Sequence, residues 1–171
     1  MELHTERLLL RSWRLDDAEA LVRHVNHREV WRNTGALPFP YSRSDAEAFF
    51  KYLAEHPQEI HLAIVPEAEP VGSVGIYLRK GLEQFVGELG YWLGPSVWGK
   101  GYATEAARAL SDHVFATTDL QRIEGRVFAW NPASRRVLEK AGFQLEGVKR
   151  RAAFKDGEHV DEWLFSRLRG E

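Results

Sequence analysis

The fold of this chain is decided by one stretch: Leu89-Gly90-Tyr91-Trp92-Leu93-Gly94-Pro95-Ser96-Val97-Trp98-Gly99-Lys100-Gly101-Tyr102-Ala103-Thr104-Glu105-Ala106. The apolar and aromatic run from Phe85 to Leu93 predicts a buried strand, and Gly94-Pro95 ends it. Glycines at 99 and 101 then lead directly into a helical pattern. The sequence therefore predicts a strand, a glycine loop and the start of a helix.

The glycine loop is suited to bind a phosphate or another anion. Backbone N–H groups are unpaired at a helix N-terminus, where the helix dipole is positive. Gly99 and Gly101 can adopt positive φ and let a ligand approach the backbone, and Lys100 adds a charge. Gly94 to Lys100 also fits the G-x-x-x-x-G-K frame of a P-loop, but Gly101 stands where that loop needs a Ser or Thr hydroxyl. Nucleoside triphosphate hydrolysis is therefore disfavoured.

Two blocks of the chain resemble the GNAT superfamily of N-acetyltransferases. The segment 98–103 resembles the family's pyrophosphate loop, Gln/Arg-x-x-Gly-x-Gly/Ala, with Trp98 at the first position. The segment 131–143 begins Asn-Pro-Ala-Ser and ends Glu-Lys-Ala-Gly-Phe. It resembles a helix of the ribosomal-protein N-acetyltransferase (RimJ/RimL-like) branch, and the resemblance extends more loosely from Thr5 to Asp161.

The resemblance implies a mixed α/β, or α+β, fold: a largely antiparallel sheet of about seven strands with helices on both faces. It implies one N-acetyltransferase domain over residues 1–171, using acetyl-CoA as the acetyl donor. The implied acceptor is a protein N-terminal α-amine. Two alternatives stay open: a small amine such as a polyamine, amino acid or antibiotic, or a CoA-binding sensor without turnover.

The resemblance also assigns the cofactor site residue by residue. The pantetheine arm would pair with the end of the strand, where an N–H near Leu93 could stabilise an oxyanion. Asn131 would position the cofactor and is also a natural helix N-cap. The predicted cofactor residues are Tyr91, Trp92, Leu93, Trp98, Gly99, Lys100, Gly101, Tyr102, Ala103, Thr104 and Asn131. Simpler interpretations stay open for three of these residues. Tyr91 and Trp92 could serve only core packing, and Lys100 could be only a solvated loop charge.

Glu88 and Ser134 are the predicted catalytic residues. Glu88 interrupts an apolar strand, and partial burial would raise its pKa toward that of a general base. An ion pair with Arg126 of a neighbouring strand explains the same residue equally well. Many family members carry a tyrosine where this chain has Leu138, so Ser134 is predicted to protonate the leaving thiolate instead, although a capping role also fits.

Trp31 and Tyr41 lie in a segment with bulky aromatics, two prolines and no periodicity. Loops of this kind either pack onto the domain or line a ligand cleft, and binding residues collect in loops. In the family this region covers the acceptor side. Trp31 and Tyr41 are therefore predicted to bind the acceptor, with packing as the alternative.

Composition excludes several other functions. Zero cysteine excludes disulfides and Cys-based acyl-enzymes, and no H-E-x-x-H pattern points to a metal. A net charge of −2 provides no basic field for nucleic acid. No apolar run approaches the roughly 20 residues that span a bilayer, and the start lacks a signal-peptide layout, so a cytoplasmic location is expected. The choice between monomer and homodimer stays open.

The remaining elements are predicted from periodicity and turn residues. Capping-box spacing at Asp16 and at Ser44 predicts two helices after a first strand at 7–13. Strands at 59–65, 71–78 and 85–93 are expected to form an antiparallel meander. A final hairpin, 144–154 with 159–168, carries an Asp-Gly turn signal.

Overall fold

The computed structural model describes every residue from Met1 to Glu171. Eight strands form one sheet: β1 (Glu2–His4), β2 (Leu9–Ser12), β3 (Ile60–Val65), β4 (Gly72–Leu78), β5 (Val86–Leu93), β6 (Arg122–Phe128), β7 (Gln144–Lys155) and β8 (Glu158–Leu168). Five helices accompany it: α1 (Ala18–Val25), α2 (Arg28–Arg32), α3 (Arg43–Glu55), α4 (Tyr102–Thr117) and α5 (Pro132–Lys140). None of the helices combines the length and apolar character that crossing a bilayer requires.

The strands lie in the order β1-β2-β3-β4-β5-β6-β8-β7. All neighbouring pairs are antiparallel except β5 and β6, which run parallel because α4 connects them as a crossover. The predicted meander of β3, β4 and β5 is confirmed. The hairpin of β7 and β8 is also confirmed, and its turn residues Asp156 and Gly157 both have positive φ.

The two faces of the sheet are covered by different helices. On one face, α4 buries an apolar stripe of Ala106, Ala107, Leu110 and Val114, and α5 adds Leu138 to the same core. On the other face, α1, α2 and α3 form a second, smaller core against which Trp92 packs. Because side chains alternate along a strand, the neighbouring Leu93 belongs to the first core. The predicted arrangement of a mixed sheet between helices is confirmed.

Several expectations about the first third of the chain are wrong. The sheet has eight strands, because β1 precedes the predicted first strand. Three helices follow β2 rather than two, since α2 lies after the first predicted helix and includes Trp31 and Arg32, the first two residues of the segment expected to be a loop. The third helix begins two residues early: Ser42, not Ser44, is the N-cap and accepts from the Asp45 amide. The Asp17 carboxylate, near the first expected capping box, binds Arg11 in a buried ion pair at 2.7 and 2.8 Å.

Candidate active site

A gap opens in the sheet where β5 and β6 separate. Their registered pairs run from Val86 with Arg122 to Leu89 with Gly125 and then stop, while β4 stays paired with β5 as far as Leu93. The Gly94 amide donates to the Val71 carbonyl on the β4 side at 2.8 Å. Backbone groups alternate in direction along a strand, so those of Tyr91 and Leu93 point into the gap. This is the polar strand end that a pantetheine arm could pair with.

The glycine loop presents a row of unpaired amides beside this gap. Gly99 and Gly101 have φ of 79° and 83°, and Gly101 is the N-cap of α4. None of the six amides at 99–104 donates to a backbone carbonyl, and Glu105 is the first to do so, to Gly101 at 3.1 Å. Six free donors at the start of a 16-residue helix form a strong site for an anion.

Trp98 ties the loop to the strand end. Its indole Nε1 donates to the Leu93 carbonyl at 2.8 Å, and about half of its surface is exposed. In the family's loop motif this position is Gln or Arg. Here an indole holds the loop against the gap.

One cleft of about 420 Å³ joins the strand end, the loop, α2 and α5. Its walls include ten of the eleven predicted cofactor residues, together with Ser134. The exception is Lys100, whose carbonyl accepts from Arg7 and whose side chain is exposed. The complete lining consists of Glu29, Val30, Asn33, Thr34, Tyr91, Trp92, Leu93, Trp98, Gly99, Gly101, Tyr102, Ala103, Thr104, Asn131, Ala133, Ser134, Arg136, Val137 and Lys140.

Ser134 lies beside a phenol in this cleft. The hydroxyls of Tyr91 and Ser134 are 2.7 Å apart, and the Asn131 side chain accepts from the Ser134 amide at 3.1 Å, so Asn131 is the predicted N-cap of α5. Burial raises the pKa of Tyr91 far above its ordinary value, which keeps the phenol protonated. Leu138, at the position of the family's tyrosine, is buried against Gly125. Tyr91 therefore supplies a phenol from the opposite wall.

Glu88 is not part of the cleft lining. Its carboxylate accepts from Arg126 at 2.6 and 2.9 Å and from Arg79 at 3.2 Å. The ion pair with Arg126, which the sequence offered as the alternative to catalysis, is present. A general-base role for Glu88 stays a prediction, and these contacts give it no support, because two guanidinium groups occupy the carboxylate oxygens.

The aromatic residues predicted for acceptor binding do not line the cleft. Tyr41 is only 4% exposed and packs in the smaller core with Leu21 and Val25, so its expected place in the acceptor site is wrong. The rings of Trp31 and Phe39 contact each other in a tilted arrangement with centroids 5.9 Å apart. The Lys155 ammonium lies 4.2 Å from the centroid of the Trp31 ring. Tyr41 therefore serves packing, whereas acceptor binding by Trp31 stays a prediction.

Sequence reasoning missed the part of the cleft that α2 builds. Glu29, Asn33 and Thr34 line it, and Glu29 is its one acidic residue, whereas α5 contributes the basic Arg136 and Lys140. The α2 helix has only five residues, and their sequence shows no apolar periodicity from which a helix could be predicted. No three His, Cys, Asp or Glu side chains are grouped so that they could hold a metal ion.

The α2 helix is held against the turn of the β7–β8 hairpin by charges. Arg28 binds Asp156 at 2.7 and 2.8 Å, and Arg32 binds Asp156 at 3.1 Å and Glu158 at 3.2 Å. The Arg32 guanidinium also lies 4.0 Å from the ring centroid of Trp130. The hairpin thus fixes the helix that forms one wall of the cleft.

Comparison with known proteins agrees with this geometry. A family model described as an acetyltransferase (GNAT) domain matches residues 7–144. The uncharacterised N-acetyltransferase p20 of Bacillus licheniformis is 33% identical over 175 residues, covering 99% of this chain and 97% of p20. The ribosomal-protein-serine acetyltransferase of Escherichia coli is 31% identical over 105 residues, 61% of this chain and 58% of that enzyme.

Among solved structures, RimL, a ribosomal L7/L12 α-N-protein acetyltransferase in complex with coenzyme A, superposes with a TM-score of 0.88. The match covers 98% of both chains at 21% identity, so it shows a shared fold. Fold, cleft and relatives together define an acetyltransferase. More particularly, the chain belongs to the GNAT acetyltransferase family.

Proposed function

We propose that residues 1–171 form one domain that transfers the acetyl group of acetyl-CoA to a protein N-terminal α-amine. The observation that carries this proposal is the row of free amides at 99–104, which opens into the same cleft as the gap between β5 and β6. The similarity to the E. coli ribosomal-protein-serine acetyltransferase supports a protein acceptor. A cytoplasmic location and the choice between monomer and homodimer stay predictions.

The donor would lie along the cleft from the loop to the gap. Its pyrophosphate would accept hydrogen bonds from the amides of Gly99 to Thr104, where the dipole of α4 adds positive potential. Arg136 and Lys140 would add positive charge near the phosphates. The pantetheine arm would pair with the backbone of Tyr91 and Leu93, which brings the thioester into the gap.

Acetyl transfer then needs one bond made and one broken. The amine nitrogen attacks the thioester carbonyl, and the Leu93 N–H stabilises the negative charge on the oxygen. The C–S bond breaks, and the sulfur takes the Ser134 hydroxyl proton. The Tyr91 phenol returns a proton to Ser134 through their 2.7 Å contact and is itself reprotonated by water, so both hydroxyls are neutral at the end of the step. The proton of the attacking amine leaves to water. Removing the phenol or the hydroxyl should therefore slow the step without weakening donor binding.

An α-amine suits this site because it needs little help in losing a proton. Its ordinary pKa is about 7.7–8.0, compared with about 10.4 for a lysine side chain, so a useful fraction is neutral near pH 7.5. The acidic Glu29 at the α2 wall would attract the cationic acceptor before deprotonation. These features favour α-amines over lysine side chains without requiring a strong base.

The test is release of thiol from acetyl-CoA, followed with a thiol-reactive dye. The chain contains no cysteine, so the enzyme itself contributes no signal. Acceptors are peptides with free Ala or Ser N-termini, the same peptides with blocked N-termini but an added lysine, polyamines and amino acids. Thiol release only with free N-termini, together with mass-spectrometric location of the acetyl group, would support the proposal. Turnover only with small amines would overturn the protein acceptor.

A further inference from the structure

The connection between β1 and β2 binds the first turn of α4 through hydrogen bonds and an ion pair. The Glu105 carboxylate accepts from the Thr5 hydroxyl at 2.6 Å, from the Arg7 backbone amide at 2.9 Å and from Arg7 Nε at 2.8 Å. A second guanidinium nitrogen of Arg7 lies 2.6 Å from the same carboxylate. These residues are about 100 positions apart in sequence, so the contacts join the N-terminus to the glycine loop.

Glu105 is kept away from the donor cleft by these contacts. Burial alone would raise the pKa of Glu105, but the donors from Thr5 and Arg7 outweigh it and lower that pKa. Its side chain is 15% exposed and absent from the cleft lining. A carboxylate in the first turn would otherwise repel an incoming anion. Paired with Arg7, its charge is compensated.

Arg7 also fixes the orientation of a peptide unit inside the loop. Its Nη1 donates to the Lys100 carbonyl at 2.8 Å. A trans peptide is planar, and its C=O and N–H point in opposite directions. Drawing the Lys100 carbonyl toward Arg7 therefore turns the Gly101 N–H away from Arg7. The positive φ of Gly101 permits this arrangement.

We infer that Thr5, Arg7 and Glu105 are positioning residues that preorganise the glycine loop for the pyrophosphate of the acetyl donor. The inference rests on the proposed donor site and adds three residues to it. Neither Arg7 nor Glu105 lines the cleft. Arg7 contacts the loop backbone at the Lys100 carbonyl, and Glu105 acts on the loop through Arg7. Preorganisation lowers the cost of ordering the loop when the donor binds.

The test compares two donors that differ in the pyrophosphate. Acetyl-CoA carries it, whereas S-acetyl-pantetheine carries the same thioester and arm without it. With Arg7→Ala or Glu105→Gln, we expect the KM for acetyl-CoA to rise about tenfold, the scale of one lost charge-assisted hydrogen bond. The kcat at saturating donor and the kcat/KM for S-acetyl-pantetheine should stay within about twofold of wild type on the same scale. Arg7→Lys should recover part of the acetyl-CoA affinity.

Arg14→Ala is the matched control, because Arg14 makes an exposed pair with Glu2 at 3.6 Å and does not contact the loop. It should leave both donors unaffected. Equal losses with acetyl-CoA and S-acetyl-pantetheine would overturn the inference and indicate general damage to the fold. If Arg7→Ala does not fold, the same comparison of the two donors is made with the isosteric Glu105→Gln. Failure of the wild-type protein to use acetyl-CoA would refute the proposed function instead, which separates the two outcomes.

Discussion

Replacing Gly101 by alanine tests whether the conformation of the glycine loop binds the donor. Gly101 has a φ of 83°, where a residue with a Cβ pays roughly 1–2 kcal/mol. The added methyl would also lie 3.3 Å from the Arg7 guanidinium, close enough to displace it slightly. We expect the free loop to relax to a negative φ, so that binding must restore the strained form.

The backbone strain at residue 101 lowers the affinity for acetyl-CoA by the same free energy. A cost of roughly 1–2 kcal/mol raises the KM for acetyl-CoA about 5- to 30-fold, while kcat at saturating donor stays near wild type. Gly99, with φ 79° and open space around its Cβ position, should show the backbone cost alone when changed to alanine. The assay is thiol release against varied acetyl-CoA, supported by calorimetric binding of CoA.

Gly147→Ala is the control for this series. No atom lies within 4 Å of its Cβ position, and its φ is not positive. It should leave the KM for acetyl-CoA unchanged. A folded Gly101→Ala protein with wild-type affinity for acetyl-CoA would refute the reasoning, since the loop would then bind the donor without its left-handed residue.

Three further substitutions separate chemistry from structure. Ser134→Ala should lower kcat about tenfold or more without changing the KM for acetyl-CoA, because only thiolate protonation is affected; stopped-flow thiol release measures it, and an unchanged kcat would exclude the hydroxyl. Glu88→Gln should leave the pH profile of kcat unchanged, since its carboxylate is engaged by arginines; a lost ionisation would restore it as the base. Asp17→Asn should cost about 3–5 kcal/mol in urea unfolding at pH 7, because it leaves Arg11 buried without its partner, whereas the exposed Glu47→Gln should change little.

The Asp17 contribution should also depend on pH in a defined direction. Burial raises its pKa, but the hydrogen bonds from Arg11 and Arg14 outweigh burial and hold the folded pKa below the ordinary value of 3.8. The stabilisation is therefore present above that unfolded value and is lost as pH falls through the lower folded pKa. The difference between the urea midpoints of wild type and Asp17→Asn should begin to shrink below about pH 4 and disappear only below the folded pKa. A constant difference down to pH 2 would contradict the assignment.

Local sequence signals predicted the elements that carry the donor site. The strand before Gly94, the two glycines and the apolar stripe of α4 are all encoded within a few residues of one another. The same is true of Asn131, whose side chain caps the helix that follows it. Turn chemistry likewise located the β7–β8 hairpin. These signals need no knowledge of distant partners.

The features that the sequence could not predict come from contacts between distant parts of the chain. Tyr41 could not be placed in the core without knowing that α1 and α3 enclose it. For Glu88, the choice between a general base and an ion pair depends on whether β6 brings Arg126 beside it, which the sequence does not show. The Tyr91–Ser134 pair joins residues 43 positions apart across a gap that no periodicity reveals. Ion pairs, cleft walls and hydroxyl pairs of this kind depend on tertiary packing.

Acetyl-CoA would be a substrate of this protein and would also pair with the open end of β5, where a neighbouring strand is missing. Beyond Leu89 and Gly125 the ladder between β5 and β6 is left open, and the pantetheine amides would complete part of it. A ligand that binds only the native state stabilises it by mass action, by about 2.7 kcal/mol at one hundred times its dissociation constant. The lifetime of the folded enzyme would then follow the supply of acetyl-CoA, so that the protein resists unfolding and proteolysis best when its substrate is plentiful.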